Sequence, residues 1–574
     1  MYECLAVKAA NVSPDHTPGR IAELEAQLAR LTAERDAASA RADKVQRAYE
    51  RLLEHYELLK RRIFVAKAER VPHEQLELEF AETKRKLDAM AKDLDHGSED
   101  DPASSPTPTP TPTPEDKPKP KPKGRRNLCA AEMPEERVEI LDPELEGKAE
   151  RIGFEVSYQL GYQRGGPRRI LIARAKYKVP DTTPTKIVVT ERPRQLMKKG
   201  LLAPSSIAHI LVAKYLFGLP FHRQVAQLAA QEVDLDDGTM CRYAEHIGAS
   251  LGPIVDACAQ EARRHAFCLS TDATGICIRP EPLPSKQRQA CRKGHFFVIL
   301  ADQDHVFFEY QPRHTSAAVC DMFRGFSGYI QADAHSVYDA VFRGEARSSP
   351  NATPPDEVAC WAHARRKFWE TATVSKEPIA REALLRLRTV FDLERKWEKL
   401  PPAKRTSQRQ KVLMPILTDF FRWIQACHAQ VKDVRSLLTT ATGYAIRHEA
   451  ALLRFLEDGR LKITNNHSER ALRTIAVGRK NWLFCGSDDH ATSAANLFSL
   501  IASCKLHGLD PETYLAEVIH VMPYWPRERY LELAPRYWTT TRVRLDPIEL
   551  AREIGPITVP PPEEQSAPHA SLSP

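Results

Sequence analysis

The tightest constraint on the fold is the order of short strand-like and helix-like runs between Ala266 and Trp361. Ala266–Ile278 is apolar and β-branched and reads as a strand; His295–Leu300 and His305–Tyr310 read as two more. A helix near Thr315–Phe323, a strand at Tyr329–Gln331, a helix from near His335 and a strand at Val358–Trp361 complete a β-β-β-α-β-α-β series. That order predicts an α/β unit. Asp272 stands in the middle of the first strand, where a carboxylate is depleted and costly to bury unpaired. Asp333 follows Gly328–Ala332, just past a strand's C-terminal end, where open sheets place their ligand sites. Either aspartate alone is equally well read as a solvated strand residue.

A third carboxylate lies in Leu461–Lys480. After two turn-prone residues, Asn465 and Asn466, apolar residues at Ala471, Leu472, Ile475 and Ala476 mark a helix with one buried face. Glu469 falls in its first turn with Arg470 and Arg473 close behind. The asparagines are expected to shape the turn and cap the helix. Taken alone, this is a helix N-terminus with a dipole-friendly Glu and an i,i+4 pair to Arg473. Taken with the two aspartates, it is the third part of a two-metal phosphoryl-transfer site. Hard divalent cations take oxygen ligands, and a pair of them serves both the attacking and the leaving oxygen.

The remainder of the 574 residues is too long for one core. From Ile21 to Ile63 apolar residues recur in steps of three and four, interrupted only at Arg35, so 19–95 is expected to form a leucine-zipper-like coiled coil and to self-associate. Residues 96–126 turn to Pro-Thr and Lys-Pro repeats, a composition that favours an extended, disordered linker. Its Lys117, Lys119, Lys121, Lys123, Arg125 and Arg126 are candidate DNA contacts, or simply a solvated tract. Net charge is a mild +7, with 83 lysines and arginines, which permits a nucleic-acid partner without requiring one. The 12 cysteines contain no Cys-x-x-Cys, so they support neither a disulfide framework nor a zinc ribbon. No membrane-length apolar run or signal segment is apparent, and the expected location is cytoplasmic.

Residues 200–262 read as helices resembling a helix-turn-helix. Asp236 or Asp237 would cap a last helix at Gly238–Ile247, with Thr239, Arg242, Tyr243 and His246 on its reading face. Cys360-Trp-Ala-His-Ala-Arg-Arg ends a strand and begins a helix, so that His363 could face a phosphate. Residues 375–459 are an amphipathic helical insertion broken at Pro401-Pro402, and 541–574 read as a disordered tail.

Several long runs carry a resemblance: Leu59–Arg62, Lys214-Tyr-Leu-Phe-Gly-Leu-Pro, Cys360-Trp-Ala-His-Ala-Arg-Arg, Asn465-Asn-His-Ser-Glu-Arg, Gly478-Arg-Lys-Asn and Ser503-Cys-Lys-Leu-His-Gly-Leu-Asp-Pro. On these the chain, from about Ile21 to Tyr537, resembles the DDE transposases of the insertion-sequence-66 family. The resemblance implies a ribonuclease-H-like catalytic core over 266–374 and 460–508, followed by a family segment at 509–540. It implies a triad of Asp272, Asp333 and Glu469 holding two Mg²⁺ or Mn²⁺ ions, with Arg470, Arg473, Lys480 and His363 supporting charge on the phosphate. Its partners would be element terminal repeats, target DNA and helper proteins of the same element. Relatives carry two cysteine pairs within 127–190; this chain has Leu145-Glu-Gly-Lys and Tyr177-Lys-Val-Pro there, so no structural zinc is expected. The remaining small β-rich module would be held by Phe154, Val156, Ile170, Leu171 and Ile172. The expected activity is metal-dependent cleavage and strand transfer. An inactive DNA-binding derivative and a nuclease that does not join its products are the alternatives.

Overall fold

The computed structural model describes residues 134–163, 165–179, 186–280, 289–433 and 436–562, together with Arg30. Apart from Arg30, which is helical, the expected coiled coil and the linker with its cations lie outside the described residues, as do 563–574. The chain divides into units 1–120 and 121–574, and the fold below is that of the second. It is a multidomain mixture of α and β structure.

A first sheet comprises β1 (Glu135–Ile140), β2 (Glu150–Gln163), β3 (Gly166–Val179) and β4 (Lys186–Val189). β3 is central, parallel to β1 and antiparallel to β2 and β4. Its Ile170, Leu171 and Ile172 are buried, as their β-branched run foretells. Val156 is not: it stays 42% exposed on the edge strand β2, and Phe154 is half-buried under the guanidinium groups of Arg137 and Arg151. The two segments where cysteine pairs were looked for are clipped by a side chain. Buried Tyr177 donates its hydroxyl to Glu146 Oε2 at 2.7 Å and accepts from the Asp142 N–H at 3.1 Å.

Three helices follow: α1 (Pro204–Tyr215), α2 (Phe221–Ala229) and α3 (Asp237–His265). Asp236 is the N-cap of α3, accepting from Thr239 N at 2.6 Å. The helix does not stop near Ile247, because Leu251, Ile254, Val255, Cys258 and Ala262 continue its buried stripe. Tyr243 belongs to that stripe, with its hydroxyl accepting from Leu202 N, so it leaves the supposed reading face. Arg242 stays exposed, bonded to Thr239 Oγ1.

The central sheet has the order β7-β6-β5-β8-β9, from β5 (Cys268–Ile278), β6 (Arg292–Ala301), β7 (His305–Gln311), β8 (Tyr329–Ala332) and β9 (Asp356–Ala359). The first three strands are antiparallel neighbours; β8 and β9 run parallel to β5. α4 (Ser316–Met322) links β7 to β8. The helix expected at His335 is a single 3₁₀ turn, Ser336–Tyr338, before a short α-helix. After β9 come α5 (Trp361–Val374) and the insertion helices α6 (Pro378–Trp397), α7 (Pro402–Gln408), α8 (Met414–Val431), α9 (Leu437–Arg447) and α10 (Glu449–Leu453). These make a second core in which Trp361 and Phe368 pack against Phe420 and Phe421. At its base Arg409, 1% exposed, pairs with Glu394 and donates to the carbonyls of Phe455, Asp458 and Leu461. The insertion therefore grips the chain just before α11 (Asn466–Trp482).

α12 (Asp488–Leu506) covers the sheet, placing Phe498 against Phe296 and Phe308, and β10 (Phe484–Cys485) extends β5. The start of the expected disordered tail is folded instead. Ile554 and Ile557 are buried, and Glu553 binds Arg168 at 2.6 Å and accepts from Ser205 N, giving 541–562 both apolar and ionic anchorage. Among the described residues, no helix is long and apolar enough to cross a membrane.

Candidate active site

Parallel pairing of β5 with β8 sets Ser270 opposite Gln331. Two residues further on, Asp272 is still in β5 while Asp333 is the first residue past the end of β8, so the two carboxylates come near each other where neighbouring strands, roughly 4.8 Å apart in a sheet, begin to part. Asp333 leaves the strand in a tight turn: Ala334 has φ +57°, and Asp333 Oδ1 accepts from His335 N at 3.1 Å. Tyr444, from α9, donates to the Asp333 carbonyl at 3.1 Å, so the insertion reaches this loop.

The third acid is brought in by packing. Asn465, fully buried before α11, donates from Nδ2 to the Thr271 carbonyl at 2.6 Å, and its N–H meets Cys360 Sγ at 3.2 Å. Trp361 N donates to Ile463 O, and Trp361 Nε1 donates to Leu452 O. The start of α11 is thus pinned beside Asp272 and beside the end of β9. Asn465 occupies the N-cap position, but its side chain does not cap the helix; it is committed to β5. Farther along, Arg479 donates to Thr274 Oγ1 at 3.0 Å and to the Gly275 carbonyl, holding the helix along the strand.

Electrostatics tie the three acids together. Burial raises the Asp272 carboxyl to about 7; the Ala273 N–H works against this, while the charges of Asp333 and Glu469 add to it. Glu469 makes no ion pair with Arg473 among the described residues. It turns to His363, with Nε2–Oε1 at 3.7 Å. His363 Nδ1 is buried without a hydrogen-bond partner among the described residues. Arg470 donates to Asn466 O, whereas Arg473 and Lys480 are exposed on α11. His467, next to Ser468, is pushed down to about 4, chiefly by burial.

The donor set is all oxygen, as a hard divalent cation requires, and the charge that burial, with the neighbouring Asp333 and Glu469 carboxylates adding to it, makes unwelcome on Asp272 is what a cation would offset. As they stand, no three acidic, His or Cys groups among the described residues are close enough to hold a metal ion. The structure thus groups Asp272, Asp333, Glu469 and His363. Arg242 lies in a separate helix, and Lys117, Lys119, Lys121, Lys123, Arg125 and Arg126 lie outside the described residues.

Sequence reading missed two kinds of contact. Tyr444 lies in the 375–459 insertion, 111 residues from Asp333, and nothing in its local sequence points to that partner. A histidine stack, His295–His314–His335, with neighbouring centroids 5.1 and 5.0 Å apart, joins three distant loops and strands beside Asp333. No local signal marks such a stack.

Comparison with known proteins adds the following. Residues 199–493 match the family described as Transposase IS66 family, and 499–536 match the IS66 C-terminal element. The uncharacterized protein y4hP of Sinorhizobium fredii is 29% identical over 398 residues, covering 65% of this chain and 69% of that protein. The uncharacterized protein y4qI of the same organism is 26% identical over 413 residues, covering 67% and 75%. A third, y4jD, is 28% identical over 339 residues, covering 57% and 64%.

Proposed function

Because the chain belongs to the IS66 transposase family, we propose that it cuts and joins DNA at Asp272, Asp333 and Glu469. The supporting observation is the β5–β8 register, which brings the two aspartates near each other, together with the Asn465–Thr271 bond, which brings the Glu469 helix to the same place. The strand order β7-β6-β5-β8-β9, with an antiparallel second strand, supports a ribonuclease-H-like core. Asp272, Asp333 and Glu469 would hold Mg²⁺ or Mn²⁺, which supplies positive charge to the attacking and leaving oxygens of an in-line phosphoryl transfer.

The chain's own groups have distinct parts. Asp272 and Asp333, fixed by the sheet, set the position of the scissile phosphate. Glu469 closes the site from α11, steadied by His363. Arg470 and Arg473, within about one turn of Glu469, would offset the charge of the phosphates that flank the cut. Water is the nucleophile for cutting, and the released 3′-hydroxyl is the nucleophile for joining. No covalent link to the protein is needed. Element ends and target DNA are the substrates, helper proteins of the same element would be further partners in the reaction, and self-association through 19–95 would hold two ends together.

The test is an assay on labelled element-end DNA with Mg²⁺ or Mn²⁺, comparing the wild type with Glu469→Gln. Joined products that vanish in the variant while DNA binding persists are expected. Cleavage without joining would assign a nuclease, and binding without either product would assign an inactive derivative.

A further inference from the structure

We propose that the exposed face of α11 beyond Glu469 is a track for the DNA flanking the cut, and that it ends in an apolar wedge taking an unstacked base. This deepens the phosphoryl-transfer reading above and rests on it.

The exposed positions of α11 recur at helical spacing: Glu469 and Arg470, then Arg473, Val477 and Lys480. Glu469 is the helix's only acid, so the face passes at once from the site to cations. Arg473 and Lys480 form no ion pair among the described residues. One face therefore offers free positive charge in continuity with the acids, which suits a phosphate backbone.

Where the helix ends, the surface changes character. Leu483 sits at the C-cap with φ +63°, a conformation that glycine adopts readily and a branched residue does not. It is nevertheless a leucine, and 63% exposed. Phe484 beside it is 42% exposed, held in place as β10 pairs with Cys277 of β5. Phe217, 74% exposed, is brought to the same corner because Asn481 Nδ2 donates to the carbonyl of Gly218 at 3.1 Å. Backbone strain and exposed hydrocarbon are both unfavourable to the protein alone, and here they coincide. A base taken out of its stack is the occupant that matches apolar side chains at the end of a cationic track. Fourteen residues of helix place the wedge about 21 Å from Glu469, which is about six base-pair steps along a duplex.

The experiment uses the full-length protein and a duplex of the element's terminal repeat, with 2-aminopurine placed in turn at about four to eight base pairs from the cut. Binding is expected to raise fluorescence several-fold at one position near the sixth. Leu483→Gly, which relieves the strained φ, should keep or raise the melting temperature yet bring the signal back near that of free DNA. Arg473→Ala should weaken binding and lower the salt dependence by about one unit of slope. A wild-type protein that binds without a rise, or a Leu483→Gly protein that keeps the rise, overturns the wedge and leaves the catalytic reading standing. A wild-type protein that does not bind the duplex overturns both.

Discussion

Asp272 is placed where its own charge is unwelcome: in a strand, short of solvent, facing two other carboxylates. Its carboxyl rises from 3.8 to about 7, so between these values the native state holds a proton that the unfolded chain has released. Stability then falls as pH rises through that window and levels off above it. Asp272→Asn is accordingly expected to leave the melting temperature of the metal-free protein unchanged near pH 4, to raise it increasingly toward pH 7 and to hold a gain of a few degrees above that, as calorimetry across pH would read. The same substitution is expected to abolish joining, read as loss of joined product on labelled element-end DNA. A stabilising change that destroys activity is the signature of a residue kept for its chemistry. Asp272 was legible in the sequence for this reason, since a carboxylate inside a β-branched run needs a use. Glu469 was legible too, but not its orientation: the helical pattern offered Arg473, and the fold supplied His363 from a different helix.

At the scale of elements, α11 is held to the sheet by a side chain whose local setting pointed elsewhere. Two asparagines before a helix read as turn and cap, because the sequence displays only near neighbours; the partner of Asn465 lies 194 residues away on β5. Asn465→Ala leaves the Thr271 carbonyl buried without its donor, a loss of about 1–3 kcal/mol. Thermal unfolding should show that loss, and strand transfer should fall well beyond it as Glu469 drifts from the aspartates. Strands β5 to β9 were readable to within three residues at either end, since each is a short apolar run between polar turns. α3 was not: it was expected over Gly238–Ile247, yet the buried stripe from Met240 to Ala262 carries the helix on through Pro253. Val156 was misplaced for the opposite reason, as alternation marks a face but not whether another element covers it.

On the scale of the whole molecule, Asp272, Asp333 and Glu469 are separated by long stretches that fold for themselves and then return. The insertion builds its own core, clamps the approach to α11 through Arg409, and touches the Asp333 loop through Tyr444. The segment 541–562 binds back through Glu553 to Arg168 of the first sheet, a closure that its proline-rich composition concealed. In that sheet Arg168, Arg169 and Arg174 are paired with Glu136, Glu135 and Glu155, so its guanidinium groups are largely occupied within the protein. Deleting residues 1–126 is expected to convert the assembly to a monomer by light scattering and to abolish the pairing of two element ends, with binding of a single end reduced but retained. Three acids far apart in the chain are expected to form one cation site. Replacing Mg²⁺ by Fe²⁺, with ascorbate and peroxide, tests it directly, because hydroxyl radicals cut the backbone next to the bound ion. Cuts beside Asp272, Asp333 and Glu469 together, suppressed by excess Mg²⁺ and lost in Asp333→Asn, are predicted; cuts at only one of the three, or at none, would mean that the acids do not share a cation.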